Sequence, residues 1–317
     1  MLLARRRGEQ PFLRRERGRH AVHDVLEWLW ERIARPVLDH LGFDGRSGEP
    51  LPRLWWCPAG LLSLLPLHAA GRHPRHRTAG NQDRGGAAQS VPDRVVSSYT
   101  STLTALRRAR ERTDEGVFRG LLTVGMPQTP GRPALPGVER ECGEVRARIP
   151  ATGGATGDLI GPKATPGAVR EALHDHSWVH FACHAEQDLM DPAQSAFLLH
   201  GGRLTTAELL ELHLPSAELA YLSACETAVG GVNLPDEGMH LASTLQSAGY
   251  RHVVATQWSI QDGSAPDIAS RFYSALTRTG RPGAGGAARA LHEALAEHRA
   301  QDPTDPLRWA AFLHVGP

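Results

Sequence analysis

Two stretches of the sequence place reactive side chains directly after an apolar run. In VHFACHAEQD, at 179–188, the run is followed by four such side chains, Cys183, His184, Glu186 and Asp188. In LAYLSACETA, at 219–228, it is followed by Cys225. A thiol and an imidazole within hydrogen-bonding reach form a nucleophile and a base, because the imidazole holds the thiolate and later protonates a leaving amine. His184 and Cys225 are chemically sufficient for a cysteine peptidase if the fold brings them together.

The elements that must position this pair alternate regularly from Gly120 onward. Apolar runs predict strands at 121–125, 178–183, 196–200, 219–225, 252–258 and 309–315. Amphipathic runs predict helices at 137–149, 168–176, 205–214, 237–250, 265–280 and 287–300. Apolar strands separated by such helices imply an α/β fold, with a mostly parallel central sheet and helices on both faces. In such a sheet functional groups gather beyond the carboxyl ends of the strands, so His184 and Cys225 are expected at one edge.

The sequence before Gly120 is less regular. The basic leader at 1–20 has mixed charge and is interpreted as a disordered, solvated arm. Apolar residues at spacings of three and four predict a helix over 22–41, broken or kinked at Pro36. RLWW and RVVSSY predict short strands, and TLTALRRARER predicts a helix. The polar, Gly-rich stretch 71–93 between the two strands predicts a long surface loop.

Composition limits the possible partners. With 317 residues, of which 41% are hydrophobic, the chain can bury a large core. A net charge of +1 gives no attraction to nucleic acid or to an anionic membrane, and neither partner is expected. The four cysteines form no C-x-x-C pair, and no secretory signal or membrane-spanning run is present in the sequence. We therefore expect a soluble protein of the reducing cytoplasm.

Other interpretations of the same residues exist. A free cysteine is most often a buried apolar residue, and a lone histidine at a strand end is usually structural. A zinc site would use His180, Cys183, His184 and Cys225. Successive side chains of a strand point to opposite faces of the sheet, so His180 and His184 would point to one face and Cys183 to the other. This geometry disfavours a zinc site. No G-x-S-x-G elbow occurs, and GATGDLIGPKAT lacks the spacing of a phosphate loop, so neither an α/β-hydrolase nor a nucleotide site is predicted.

The same stretches carry a resemblance to a known family. The chain resembles the CHAT domain, a caspase-like and separase-like cysteine peptidase family of clan CD, in VHFACHAEQD, LAYLSACETA, DEGMHLASTLQSAGYRHVVATQWSIQD and RWAAFLHVG. It resembles the N-terminal part of that family in RLWWCPAGLLSLLPLHAAG and DRVVSSYTSTLTALRRAR. The resemblance implies a caspase-like three-layer fold over 21–317, with an N-terminal part at 21–115 and a catalytic core at 116–317. His184 precedes Cys225 by 41 residues, comparable with roughly 50 in caspases.

The resemblance implies a role for each matched residue. Cys225 would be the nucleophile, and His184 would polarise the scissile carbonyl region and protonate the leaving group. The backbone N–H groups of Cys225 and Ala185 would form the oxyanion hole. Most relatives have glycine where this chain has Ala185, and glycine allows a positive φ that alanine resists. No third catalytic group is implied, although Glu186 and Asp188 are candidates because they lie near in sequence.

Substrate binding is also implied by the resemblance. Ser223, two residues before the nucleophile, would line the pocket for the substrate side chain that precedes the cut. The strand HVVATQW would pair with the peptide backbone, and Trp258 would form an apolar wall. A carboxylate at Asp262 would select Arg or Lys, whereas the alternative is that Asp262 caps the following helix.

We therefore predict a cysteine endopeptidase that acts on a protein or peptide substrate and needs neither a cofactor nor a metal. No tetratricopeptide period is present in the sequence, so we expect control by a separate regulatory partner or by processing within 71–93. One alternative is a catalytically silent caspase-like module that binds partners, which Ala185 would favour. A Cys-dependent amidase or acyl transferase for small molecules would use the same pair.

Overall fold

The computed structural model describes most of the chain. It covers residues 11–45, 50–75, 89–111, 118–150, 155–188, 191–223, 240–258, 264–280 and 282–317. Two predicted site residues, Cys225 and Asp262, lie outside the described residues, as does the middle of the loop predicted at 71–93. The roles assigned to these two side chains stay predictions.

The described residues form eleven strands. They are β1 (Arg53–Trp56), β2 (Val96–Tyr99), β3 (Gly120–Gly125), β4 (Ala155–Ile160), β5 (Trp178–Ala182), β6 (Ala185–Glu186), β7 (Ala196–Leu199), β8 (Gly202–Thr205), β9 (Leu219–Leu222), β10 (His252–Thr256) and β11 (Phe312–Val315). Eight of them form a central sheet in the order β1-β2-β11-β10-β9-β5-β3-β4. Neighbouring strands are parallel except β10 and β11. The carboxyl ends of β3, β5, β9 and β10 therefore lie at one edge.

Helices cover both faces of this sheet. The described α-helices are α1 (Pro11–Leu29), α2 (Arg35–His40), α3 (Leu103–Glu111), α4 (Val138–Ala147), α5 (Pro166–Asp175), α6 (Thr206–Glu211), α7 (His240–Ala248), α8 (Ala265–Leu276), α9 (Ala287–Gln301) and α10 (Pro306–Trp309). Apolar residues of α1, α2, α5, α6 and α7 pack in one core cluster, and those of α4, α8 and α9 pack in another. The predicted three-layer α/β fold is confirmed.

Alternation along β5 shows how one strand serves both core clusters. Val179 and Phe181 lie in the cluster with α5 and α7, whereas Trp178 lies in the cluster with α8 and α9. All five residues of β5 are buried. A strand buried on both faces reads as a continuous apolar run, which is why its position was predictable from the sequence.

The N-terminal helix begins earlier than predicted, and its helix type changes just before the break predicted at Pro36. α1 starts at Pro11, inside the stretch interpreted as a disordered leader, so that interpretation is wrong for its second half. Trp30–Ala34 form a π-helical turn that leads into α2, and the N–H of Arg35 donates to the Trp30 carbonyl. Pro36 lies in the first turn of α2. Since proline has no N–H to donate, the regular α-helical bonding pattern ends before it.

Two features of the sheets differ from the sequence prediction. The stretch 155–160, which belongs to the motif rejected as a phosphate loop, forms β4 and pairs with β3 along its whole length. The strand predicted at 196–200 is β7, but it lies between β6 and β8 in a separate antiparallel sheet. β4 escaped prediction because it is an edge strand whose side chains are exposed or half-buried and include glycine and aspartate.

The N-terminal part shares the central sheet with the predicted catalytic core. β1 and β2 pair in parallel, and Tyr99 of β2 pairs with Val315 of β11. The side-chain Nε1 of Trp55 donates to the Gly316 carbonyl at 2.9 Å. These contacts tie β1, β2 and β11 to one another at the end of the sheet opposite β4.

Candidate active site

The register of β5 and β9 relates His184 to Cys225. The two strands pair in parallel, and Phe181 lies opposite Leu222. His184 and Cys225 are each three residues further along the chain. Their spacing of 41 residues is therefore the register offset of the two strands. The structure describes this segment as far as Ser223, and Cys225 lies outside the described residues.

The same reasoning extends to β10. Tyr221 of β9 lies opposite Val254 of β10. Trp258 comes four residues after Val254, two residues beyond the end of β10. His184 likewise lies two residues beyond the end of β5, so both residues follow the carboxyl ends of strands in the central sheet.

His184 is half-buried and held by a backbone carbonyl. Its Nε2 lies 2.8 Å from the Pro133 oxygen. A carbonyl oxygen only accepts, so Nε2 carries a proton, and in the neutral imidazole Nδ1 has the lone pair. The His184 backbone is fixed as well, because its carbonyl accepts the N–H of Leu198 at 2.9 Å. The imidazole is therefore oriented with Nδ1 available as a base.

The loop between β3 and α4 presents the Pro133 carbonyl. At its start, the N–H of Met126 donates to the Ala182 carbonyl at 2.9 Å, which ties the loop to the end of β5. The N–H of Leu135 donates back to the Pro127 carbonyl at 2.9 Å and closes the loop. Sequence analysis missed Pro133, because a backbone carbonyl leaves no signature in residue types.

Ala185 lies in β6 and has an extended backbone. It pairs with Phe197, and the N–H of Leu198 donates to the His184 carbonyl. This pattern makes Ala185 and Phe197 a non-hydrogen-bonded pair, so the N–H of Ala185 points away from β7. Extended backbone suits any residue, and the steric penalty expected for alanine in place of glycine does not arise in this conformation.

Both acidic candidates for a third catalytic group are engaged elsewhere. The carboxylate of Glu186 forms ion pairs with Arg132 and, at 3.3 Å, with Arg203. Asp188 accepts the N–H of Asp191 at 3.0 Å through Oδ1. None of these contacts includes His184, whose described orienting partner is the Pro133 carbonyl instead.

The predicted substrate-binding residues have different surroundings. Ser223 is half-buried, and its N–H donates to the Phe181 carbonyl at 2.8 Å, which extends the pairing of β9 with β5. Trp258 packs at the border of both core clusters, and its Nε1 donates to the Leu307 carbonyl at 3.1 Å. The prediction that HVVATQW pairs with a peptide is wrong for 252–256, because β10 already has β9 on one side and β11 on the other.

A cluster of buried polar side chains surrounds β5 before His184. His180 is four residues before His184, and its Nε2 lies 3.1 Å from Oε1 of Glu141 in α4. Its ring stacks on Tyr221 with centroids 4.9 Å apart, and the Tyr273 hydroxyl lies 3.4 Å from its Nδ1. Burial, and after it the nearby Glu141 carboxylate, raises the pKa of both tyrosines. These contacts join β5, β9, α4 and α8 directly below the site.

Sequence analysis missed Glu141, although a signal was present. Val138, Cys142 and Val145 form the buried side of α4, and Glu141 lies on the same side at helical spacing. A carboxylate on the apolar side of a helix requires a buried partner. The neighbouring Cys142 is buried, and burial raises the pKa of its thiol to about 12, so it is not a candidate nucleophile.

The zinc alternative finds no support in the described residues. Within them, no group of three His, Cys, Asp or Glu side chains is placed to hold a metal ion. Cys183 lies in the core cluster with α5 and α7, whereas His180 contacts Glu141 on the opposite face of the sheet. Of the four side chains considered for zinc, these two therefore point apart.

Solved structures of cysteine peptidases have the same fold. The chain superposes on the Arg specific cysteine proteinase gingipain R (RgpB) with a TM-score of 0.57 and 11% identity, over 94% of this chain and 67% of that chain. It superposes on the complex of Porphyromonas gingivalis RgpB pro- and mature domains with a TM-score of 0.56 and 12% identity, over 95% and 76% of the two chains. For separase in the Saccharomyces cerevisiae separase–securin complex, the TM-score is 0.55 and the identity 10%, over 83% of this chain and 15% of that chain. The fold is thus the caspase-like α/β fold of these structures.

Within this class, the family is also established. The family model of the CHAT domain matches residues 23–317, and the chain belongs to the CHAT domain family. No curated protein matches its sequence. Among the helices that the structure describes, none is both long enough and apolar enough to cross a membrane.

Proposed function

We propose that the chain is a cysteine endopeptidase in which Cys225 is the nucleophile and His184 the acid–base residue. One observation carries the proposal: the Nε2–H of His184 is bound by the Pro133 carbonyl, which leaves Nδ1 as a base at the end of β5. Cys225 has the same sequence offset from His184 as Leu222 has from its strand partner Phe181, which supports placing the thiol near this imidazole. A nucleophile, its base and a group that orients the base are the parts such chemistry needs.

The proposed reaction proceeds through an acyl-enzyme. His184 Nδ1 accepts the Cys225 proton, and the thiolate attacks the scissile carbonyl carbon. The backbone N–H of Ala185, which points away from β7, and that of Cys225 donate to the oxyanion. Collapse of the tetrahedral intermediate breaks the C–N bond, and His184 returns its proton to the leaving amine. Water activated by His184 then hydrolyses the thioester and regenerates the thiol.

The proposed substrate is a peptide with Arg or Lys before the cut. Asp262 would supply the carboxylate that selects a cation, and Ser223 and Trp258 would line the pocket. One of the structural neighbours is described as an Arg specific cysteine proteinase, which makes arginine the first residue to test. The alternative role of Asp262 as a helix cap finds no support in the described residues, because the N-cap position of α8 is Ser264.

We also propose that the protein works in the cytoplasm and is controlled by a separate protein partner or by a cut within 71–93. The described cysteines Cys57 and Cys142 are free thiols, in agreement with a reducing compartment. The alternative of a catalytically silent module loses its main support, because Ala185 lies in extended β6 and its N–H is directed away from β7.

A fluorescent alkylating peptide with Arg at its reactive end tests the proposal. We expect it to label the intact protein, and we expect Cys225→Ala and His184→Ala to abolish the label. Cys57→Ala is the matched control, because Cys57 is an exposed thiol that does not belong to the site, and this variant should label like the wild type. Labelling that persists without His184 would contradict the dyad. Labelling by small acyl donors but not by peptides would favour the amidase alternative.

A further inference from the structure

We propose that the ion pair of Arg132 and Glu186 is a positioning device for His184, which fixes the Pro133 carbonyl against the imidazole. Neither side chain touches the reacting atoms in this proposal. They act by holding two segments together, the loop between β3 and α4 and the start of β6. The inference deepens the proposed function, since it rests on His184 being the base.

The two segments are joined at two adjacent points. Arg132 and Pro133 are consecutive, and His184 and Glu186 are two residues apart. The Nη2 of Arg132 pairs with Oε1 of Glu186, and the Pro133 carbonyl accepts from His184 Nε2 at 2.8 Å. One ion pair between side chains and one hydrogen bond to a backbone carbonyl therefore link the loop between β3 and α4 to the segment from His184 to Glu186. The backbone bonds at Met126 and Leu135 hold the base of the loop, and the ion pair adds a link directly beside the Pro133 carbonyl.

Glu186 is itself held from the other side. Arg203 of β8 lies 3.3 Å from its Oε2, and the same Nη2 of Arg203 donates to the Gln194 carbonyl at 2.7 Å. Arg203 thus fixes one carboxylate oxygen while Arg132 takes the other. The small sheet β6-β7-β8 gives the carboxylate a rigid base, and the loop with Pro133 is anchored to it.

The exposure of these side chains decides what their loss should do. Arg132 is 42% exposed, Glu186 37% and Arg203 46%. Ion pairs this exposed contribute little to global stability. We therefore expect Arg132→Ala to fold normally and to show a local defect, in which the Pro133 carbonyl no longer holds Nε2–H. The His184 ring would then exchange between its two tautomers and orientations.

The first test reads the His184 ring directly and needs no enzymatic activity. Histidine ring nitrogens are labelled with ¹⁵N, and His184 is assigned from the signal that His184→Gln removes. We expect the Nε2–H tautomer in the wild type and a mixture in Arg132→Ala and Glu186→Gln. Arg278→Ala is the matched control, because it removes an exposed ion pair with Glu293 at 2.6 Å that joins the turn after α8 to α9. A wild-type tautomer in Arg132→Ala would overturn the proposal.

The second test separates positioning from structure by kinetics. With an arginine peptide, we expect Arg132→Ala to lower kcat by about tenfold with little change in KM, because a misplaced base impairs the chemical step. Arg132→Lys should restore part of the loss, and Arg278→Ala should have none. An unchanged kcat in Arg132→Ala would also overturn the proposal. If the tautomer responds but the wild type cleaves no peptide, the proposed function fails and the positioning stands.

Discussion

Nε2 of His180 lies 3.1 Å from Oε1 of Glu141, and the two side chains are 0% and 4% exposed. The contact lies below the end of β5, and it is closed by Tyr221 on one side of the imidazole and by Tyr273 on another. Polar groups this deeply buried need their partners, since water cannot replace them. The pair therefore makes the packing of α4 against β5 and β9 depend on two specific side chains.

Glu141→Ala should destabilise the fold by about 1–3 kcal/mol, the cost of leaving a buried polar group without its partner. His180 Nε2 would lose that partner and gain none. The measurement is the free energy of unfolding in urea. Glu144→Ala is the control on the same helix, because Glu144 is 37% exposed and pairs only loosely with Arg140, at 3.8 Å. Equal losses in the two variants would show that the buried pair has no special role.

Stability should fall in mild acid. Burial lowers the pKa of His68 and His73 to about 4 and that of His252 to about 3. In the unfolded chain a histidine titrates near ~6.5, so between ~6.5 and the folded pKa the unfolded state binds more protons. This stabilisation is therefore complete above pH ~6.5 and is lost as the pH falls toward 4. For His68 and for His73, the stabilisation that is lost is on the order of 3 kcal/mol each.

Urea unfolding at a series of pH values from 8 to 5 checks this sign. His68→Gln should flatten the slope of unfolding free energy against pH, since it removes one group that the folded state keeps neutral. His213→Gln is the control, because His213 is exposed in the structure, and it should leave the slope unchanged. A stability that rises as the pH is lowered would refute the assignment of these histidines as neutral.

Gly120→Ala should be strongly destabilising. Gly120 has φ +121°, and a Cβ there would lie 1.9 Å from the Ala155 carbonyl oxygen, where β3 begins to pair with β4. Strained backbone alone costs about 1–3 kcal/mol, and the clash adds to it. Gly143→Ala is the contrasting change, because Gly143 is inside α4 with open space at its Cβ position, and it should stabilise by up to about 1 kcal/mol. Thermal unfolding of the two variants should shift in opposite directions.

Asp262→Ala should remove a preference for Arg or Lys before the cut if Asp262 lines the pocket. A partly desolvated carboxylate binds a cationic side chain favourably and an acidic one unfavourably. Asp262→Ala should therefore lower kcat/KM for cationic peptides. A fluorogenic peptide library varied at that position measures it. Asp267→Ala is the matched control, because Asp267 lies in the first turn of α8 and pairs with Arg140 at 3.3 Å. Unchanged selectivity in Asp262→Ala would show that Asp262 does not line the pocket.

Much of the fold was predictable from the sequence because the pattern of apolar residues in each element shows which of its faces are buried. β5, β9 and β10 are buried along their length, so each reads as an apolar run, and the intervening helices have one apolar side. His184 follows β5 directly, and the same placement of Cys225 after the second run predicts a position beyond β9. The observed register of the two strands then accounts for their spacing in the chain.

Tertiary structure alone decided which segments meet. β11 runs antiparallel to β10, and β4 pairs at the edge despite its exposed and half-buried side chains, because strand direction and edge pairing depend on neighbours distant in sequence. The partners of the candidate base are equally non-local. Pro133 reaches His184 through a backbone carbonyl, and Arg132 reaches Glu186 across the same gap of more than fifty residues. Residue type and periodicity describe burial along the chain, whereas contacts between a loop and a strand arise only when the elements pack.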